Sequence, residues 1–245
     1  MPSRKRTATF FLLTLFFSSW FLDQGQNANT VSRAAMVAAV VEQGTLRIDQ
    51  FTALTKDRAL VDGHYYSEKA PLPAVLVIPF HWLLHHAGLI GASDATHINL
   101  DLLRLGGLLC GSIPFALIIT LCWLHLARST TPARAHLLTW ATFFGSFLFV
   151  YSGSFYGHLI GAAFTLGALI ALERAQHRSA GALIGCAVLC EYTIAIFAVC
   201  WTAHLALRWT RKGGMAAPLL HFVSGALPFA IALILYNTLL FGGPF

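Results

Sequence analysis

The sequence predicts an all-α polytopic membrane protein with about seven transmembrane helices and two juxtamembrane helices in the first outer loop. Three observations carry this. Hydrophobic residues make up 57% of the 245 and charged residues only 11%, with a mean hydropathy of +0.68; a soluble domain carries about 25% charged residues to cover its surface. Apolar runs of spanning or near-spanning length recur along the chain. The Lys and Arg residues collect in short gaps between those runs, where membrane topology accounts for them. The net charge of +6 therefore does not indicate nucleic acid, because no basic, aromatic-interleaved polar face is present to track phosphates. The five cysteines all fall inside apolar runs and none forms a CxxC pair, so no disulfide framework or thiolate metal site is implied.

The elements follow in order. Arg4, Lys5 and Arg6 precede an apolar run from Ala8 to Leu22, which without a small-x-small cleavage site reads as an uncleaved first span. It is short, about 22 Å as a helix. Residues 23–69 are the polar part and hold six of the ten acids: Asp23, Glu42, Asp49, Asp57, Asp62 and Glu68. Within them Val31–Val41 has apolar residues at helical spacing and is stopped by Gly44, which predicts a helix lying on the membrane surface. Apolar runs follow at 70–87, 102–127, 135–152, 156–173, 180–207 and 216–236.

Basic clusters at Arg4–Arg6, Arg128/Arg134, Arg174/Arg178 and Arg208/Arg211/Lys212 belong on the cytoplasmic side, so an even number of crossings separates each pair. The proline- and histidine-rich run 70–87 is then a second surface or re-entrant segment. The run 135–152 pairs with 156–173 around Gly153-Ser154. The run 180–207, about 42 Å as one helix, either turns near Glu191, as parity prefers, or crosses as one long span that violates the charge rule. This parity predicts a bacterial-type inner-membrane protein with a cytoplasmic N-terminus, a single membrane domain over 1–245, and an outer-face loop at 23–101. A site on that face has no access to nucleotide sugars or ATP, so its substrates arrive on a lipid.

An ionisable residue at membrane depth is a functional candidate, and Glu191 fits that description; its bland alternative is a carboxylate snorkelling at a helix break. Arg104 begins a span beside Asp101, and His158 follows the outer turn. Both suit a phosphate or sugar, and both also suit interface anchoring or packing. His81 and His85 have the i, i+4 spacing that serves a metal on one helical face. With no HExxH glutamate and no nearby cysteine, His81, His85 and His86 read better as interfacial histidines. Neither a metal nor a cofactor is expected. The densest constellation is His64-Tyr65-Tyr66-Ser67-Glu68-Lys69-Ala70-Pro71-Leu72-Pro73. A lysine beside a proline-stiffened turn at the bilayer surface suits a lipid phosphate, and Tyr65 and Tyr66 offer anchoring and a stacking surface for a sugar. By composition alone, a generic aromatic belt with a snorkelling lysine accounts for it equally.

The stretch Tyr66-Ser67-Glu68-Lys69-Ala70-Pro71-Leu72 resembles the Tyr-x-Glu-Lys-Pro-Pro-Leu signature of GT-C membrane glycosyltransferases, in the branch of protein O-mannosyltransferases and the lipid A aminoarabinose transferase. Asn29-Thr30-Val31-Ser32-Arg33, the helix after it, and Glu42-Gln43-Gly44-Thr45-Leu46 are similar to the same branch, in which a surface helix ends at a glycine before an extended strand. Tyr236-Asn237 and Phe241-Gly242-Gly243-Pro244-Phe245 resemble a later segment of its bacterial members. The resemblance implies an inverting transfer of a sugar from a polyprenyl-phosphate donor to a lipid, glycan or protein acceptor on the outer face. It places Lys69 on the donor phosphate, with Arg33, Arg104 and His158 as weaker helpers. Asn29, Tyr65, Tyr66, Glu68 and Glu191 then line the substrate pocket.

The family's catalytic Asp-Glu pair aligns with Asn29-Thr30, and an amide is no general base. Asp57 is therefore the expected base, ahead of Asp49, with Asp23 a third possibility. Relatives continue past the point matching Phe245, so the chain reads as the N-terminal catalytic module alone. The alternatives are a non-catalytic lipid-binding or scaffold module and, with less support, a transporter, which lacks the internal repeat expected of one.

Overall fold

A computed structural model of the chain describes residues 2–22, 26–212 and 216–244; Asp23 lies outside them. The described residues are helical but for one short hairpin, and they gather into two compact units, Met1–Ile160 and Gly161–Phe245.

The first unit opens with α1 (Arg4–Ser19), capped by the Ser3 hydroxyl. Next comes α2 (Ala28–Gln43), whose cap is Asn27 Oδ1, accepting from the Asn29 and Thr30 N–H groups at 3.1 Å each. Gly44 ends α2 in the left-handed region, φ +68°, which a residue with a Cβ occupies at a cost. A hairpin follows, β1 (Arg58–Val61) paired antiparallel with β2 (His64–Ser67) so that Arg58 faces Ser67 and Val61 faces His64. The unit continues with α3 (Leu72–His86), α4 (Leu100–Gly107), α5 (Ile113–Leu126), α6 (Pro132–Phe144) and α7 (Phe147–Tyr151).

The expectation of a surface helix at 31–41 is corrected. Ten consecutive residues, Thr30–Ala39, are buried, so α2 is enclosed by protein on every side, packed on α3, α4 and β2. A helix apolar all round is a core helix, and only Thr30, Ser32 and Arg33 carry polar groups into this one. The α3 helix packs on α2 and α4 through Pro73, Ala74, Val77 and His81 and turns Phe80, Trp82 and Leu83 outward. The interfacial reading of the histidines is therefore corrected at His81, which is wholly buried.

A wide turn at Leu108–Ser112 joins α4 to α5 without ending the helix, and Pro114, which has no N–H to donate, follows it. Through this turn Gly107 and Gly111 approach the backbone at 152–154 too closely for a Cβ at either glycine. The Ser112 hydroxyl donates to Ser152 O at 2.8 Å. The small-xxx-small spacing that permits such contact is the usual device for packing helices in lipid. The expected single span at 135–152 is also corrected. Helix α6 stops at Gly145, Ser146 is extended (φ −123°, ψ 169°), and α7 is a separate single turn and a half.

The second unit takes in most of α8 (His158–Glu173), then α9 (His177–Cys190), α10 (Ala195–Lys212) and α11 (Ala217–Phe241). The apolar run 180–207 is two helices, because Glu191 adopts extended backbone (φ −156°, ψ 113°) between α9 and α10. Helices α9 and α11 make the most intimate pair. Gly181 lies against the Phe222 carbonyl, Gly225 against that of Arg178, and Gly185 against the Phe229 ring.

Among the described residues three helical stretches are long and apolar enough to cross a membrane: Leu100–Leu126, Tyr192–Thr210 and Ala217–Phe241. The second and third bury 6% and 11% of their apolar windows and present Ile196, Phe197, Val199, Leu227, Ile231 and Leu239 outward. A water-facing surface does not carry such a continuous apolar patch, whereas a lipid-facing one does. Helices α1 and α8, at 16 residues each, reach about 24 Å, short of the roughly 30 Å hydrocarbon core.

Substituting Gly181 or Gly225 with leucine forces the α9–α11 backbones apart. We expect overpacking of at least 1–3 kcal/mol, read as a lower midpoint of thermal unfolding in detergent. Leucine at Gly242, where the space for a Cβ is open, costs only its left-handed backbone.

Candidate functional site

The candidate site grows from the buried start of α2. Ser32 is enclosed, and its hydroxyl lies 2.6 Å from Asp57 O and 2.8 Å from Ser67 Oγ. One turn earlier, the Thr55 hydroxyl donates to Ala28 O at 2.7 Å, and the Asp57 N–H donates to Thr55 Oγ1. The first two turns of α2 thereby clasp both the 55–57 turn and the last residue of β2. Directly after that residue the chain carries Glu68 and Lys69. The Lys69 N–H donates to Ser67 Oγ, and its ammonium sits 2.9 Å from Asp57 Oδ2 and 3.1 Å from Glu68 Oε1. Ala70 is buried and Pro71 leads into α3.

Burial works against the Lys69 charge, but the hydrogen bonds it donates to Asp57 and Glu68, with their negative charges, outweigh it, so the ammonium titrates above the ordinary lysine value. Lys69 stays fully cationic through the physiological range. Its side chain is 18% exposed, against 27% for Asp57 and 46% for Glu68, which makes it the most recessed of the three. Two of its three N–H donors meet carboxylates, leaving one for a third oxygen.

Next to Ser32 in the chain, Arg33, 2% exposed, donates to the Asn29 side-chain oxygen one turn back. An asparagine there keeps the guanidinium hydrogen-bonded without adding a charge. The structure thus brings Asp57, Glu68 and Lys69 into direct contact. Asn29 and Arg33 are tied to them through the adjacent Ser32.

The other expected site residues lie elsewhere. Asp49 turns to the hairpin: Oδ1 accepts from the Tyr65 N–H at 2.6 Å and Oδ2 meets His64 Nδ1 at 2.8 Å. Those contacts, led by the Tyr65 N–H, hold its carboxyl below the usual aspartate value. Tyr65 takes the Arg58 guanidinium over its ring, 4.7 Å from the centroid, and Tyr66, paired with Ala59, is half-buried. Arg104 forms an exposed i, i+3 pair with Asp101 at 3.1 Å. His158 stacks on Tyr156, rings 12° apart, and meets Tyr151 edge-on. Glu191 stands in the second unit, at the break between α9 and α10. That unit also holds an apolar groove of about 310 Å³ between α9, α10 and α11, with no ionisable side chain in its lining.

Sequence reasoning missed Ser32 and Ser67. Nothing local marks two serines as partners across 35 residues; the only hint is a hydroxyl inside an otherwise apolar helix, which must find a partner when buried.

Replacing Ser32 with alanine leaves the Ser67 hydroxyl and the Asp57 carbonyl short of a partner, and we expect a loss of about 1–3 kcal/mol. Faster proteolysis at 55–58 in the folded, detergent-solubilised chain reports it. A second expectation concerns pH. Because the folded pKa of Asp49 lies below 3.8, its contribution to the hairpin is complete above that value and is lost as pH falls through the lowered pKa. Hydrogen exchange at the Tyr65 amide should therefore stay protected at pH 5, with protection falling away below pH 3.8.

Comparison with protein-family models, with characterised proteins and with solved structures finds no match to this chain.

Proposed function

We propose that the chain is a membrane glycosyltransferase module, acting on the outer face, that takes a polyprenyl-phosphate sugar and transfers the sugar to a hydroxyl acceptor. The observation that carries this reading is the recessed Lys69 ammonium in contact with Asp57 and Glu68, in a chain that also has helices whose apolar surfaces suit lipid. In the reaction, Asp57 accepts the proton of the acceptor hydroxyl as its oxygen bonds to the anomeric carbon. The bond from that carbon to the phosphate oxygen breaks with its electron pair, and the third Lys69 donor stabilises the departing phosphate. The apolar groove of the second unit is of a kind that accepts a prenyl or acyl chain.

The finer topology belongs to the same reading. An about seven-span path adds to the three long stretches the helices α1, α6, α8 and α9, at 13–16 residues, which cross a locally thinned bilayer at a cost of fractions of a kcal/mol per Å of mismatch. The N-terminus then lies in the cytoplasm of a bacterial-type cell, and α2, α3 and the hairpin form the outer layer.

One observation favours a second reading, a non-catalytic lipid-binding module. Asn29 is an amide already engaged by Arg33, at the position where the resemblance expects an acid. The two readings separate on two variants. On the first, Lys69→Ala lowers both donor binding and transfer, by about tenfold or more if a charge-assisted bond of 1.5–3 kcal/mol is lost. Asp57→Asn keeps donor binding but lowers transfer by about 10²–10⁴-fold. Donor binding measured with a polyprenyl-phosphate hexose, alongside transfer of its labelled sugar, checks both. Saturable binding with no turnover in wild type would move the chain to the second reading; unchanged binding and transfer in Lys69→Ala would remove the site.

A further inference from the structure

The last turn of α2 and the middle of α3 bring together three side chains that the Lys69 site does not use. Glu42 Oε1 stands 3.0 Å from His81 Nε2. His85 follows His81 by one helical turn, rings 5.6 Å apart. One ligand-capable atom from each of the three lies within 4.8 Å of the other two. We propose that Glu42, His81 and His85 bind one divalent transition-metal ion of the zinc class, pinning the end of α2 to α3.

Bonds of 2.0–2.1 Å in a tetrahedron place neighbouring ligand atoms about 3.3 Å apart. Small rotations of three side chains bring the observed spacings to that value. Two imidazoles and one carboxylate select zinc and its neighbours over magnesium or calcium, which take oxygen donors. The surroundings are arranged as metal sites arrange them. The Ser93 N–H donates to Glu42 Oε2 at 2.9 Å, leaving Oε1 for the ion. His85 Nδ1 lies 3.2 Å from Ile90 O; a proton held there leaves the lone pair on Nε2, the usual way a backbone carbonyl fixes a liganding tautomer. His81 is wholly buried, and its Nδ1 has no hydrogen-bond partner among the described residues. The ion would take Nε2, which faces Glu42 Oε1, so Nδ1 carries the proton.

The position argues for a structural role. His81 stands nine residues into α3 from Leu72, about 14 Å along the helix from the end that carries Lys69. The ion therefore lies away from the proposed transfer chemistry. Through Glu42 and Ser93 it also ties down the 87–99 connection. The site is independent of the glycosyltransferase reading and stands or falls on its own test.

The test uses the full chain in detergent, carrying no polyhistidine tag, stripped with a chelator and dialysed. It is titrated with Co²⁺, followed by its visible absorption, and then with competing Zn²⁺. The expected result is one equivalent per chain. Glu42→Gln, which keeps an acceptor for the Ser93 N–H but loses the anionic ligand, and His85→Ala should each weaken binding by more than the 10–100-fold typical of outer-shell changes. His86→Ala, an exposed neighbour outside the cluster, should bind as wild type does. Zn²⁺ should also raise the unfolding midpoint of wild type and not that of Glu42→Gln. Folded wild type with no stoichiometric Co²⁺ uptake would overturn the proposal, as would affinity unchanged in both ligand variants, or lost equally in His86→Ala.

Discussion

Enclosing α2 on all sides imposes a condition that the rest of the first unit has to meet. Along Thr30–Ala39 no side chain reaches solvent, yet two hydroxyls and a guanidinium lie inside. A buried polar group without a partner costs more than most single contacts supply, so protein has to provide the partners. Asn29 supplies one for Arg33; the Asp57 carbonyl and Ser67 supply those for Ser32. The positions of the 55–57 turn and of the end of β2 follow from that requirement. Lys69 then meets Asp57 because both are anchored, two residues or fewer away, to the same buried serine. The charged cluster is in this sense a by-product of satisfying an apolar helix that carries polar atoms.

Some of this was legible in the sequence. Gly44 announces the end of α2, because only glycine takes a left-handed backbone without cost, and the structure places it at φ +68°. The break at Glu191 was the reading that the length of the run 180–207, about 42 Å as one helix, and the basic residues flanking it favoured, and the structure has extended backbone there. Composition specifies helices suited to lipid, and α10 and α11 present the apolar surfaces it requires. The proximity of Glu68, Lys69 and Pro71 is a matter of chain adjacency.

What was not legible depends on contacts distant in sequence. The pairing of Ser32 with Ser67 spans 35 residues, and that of Glu42 with His81 spans 39, so neither leaves a local pattern. The burial of α2 did leave one, since Ala34–Val41 is apolar in every direction. The charged residues Arg33 and Glu42 at its ends suggested a surface helix instead, and the structure pairs them inside the protein, Arg33 with Asn29 and Glu42 with His81. The break at Gly145 is a third case. The apolar run continues through it, and only the extended backbone at Ser146 shows two helices. Span counts read from hydropathy alone overlook such interruptions.

One unit holds the charged cluster and the other an apolar groove without ionisable groups; the donor proposed for the chain is a lipid-linked substrate. The central claim is that the phosphate of such a substrate meets Lys69. Its most direct test is a photo-crosslinkable polyprenyl-phosphate hexose with the reactive group beside the phosphate, followed by mass-spectrometric mapping of the labelled peptide. The account predicts label concentrated between Thr55 and Leu72 and competed away by unlabelled donor. Label spread along the lipid-facing surfaces of α10 and α11, with none in that segment, would contradict it.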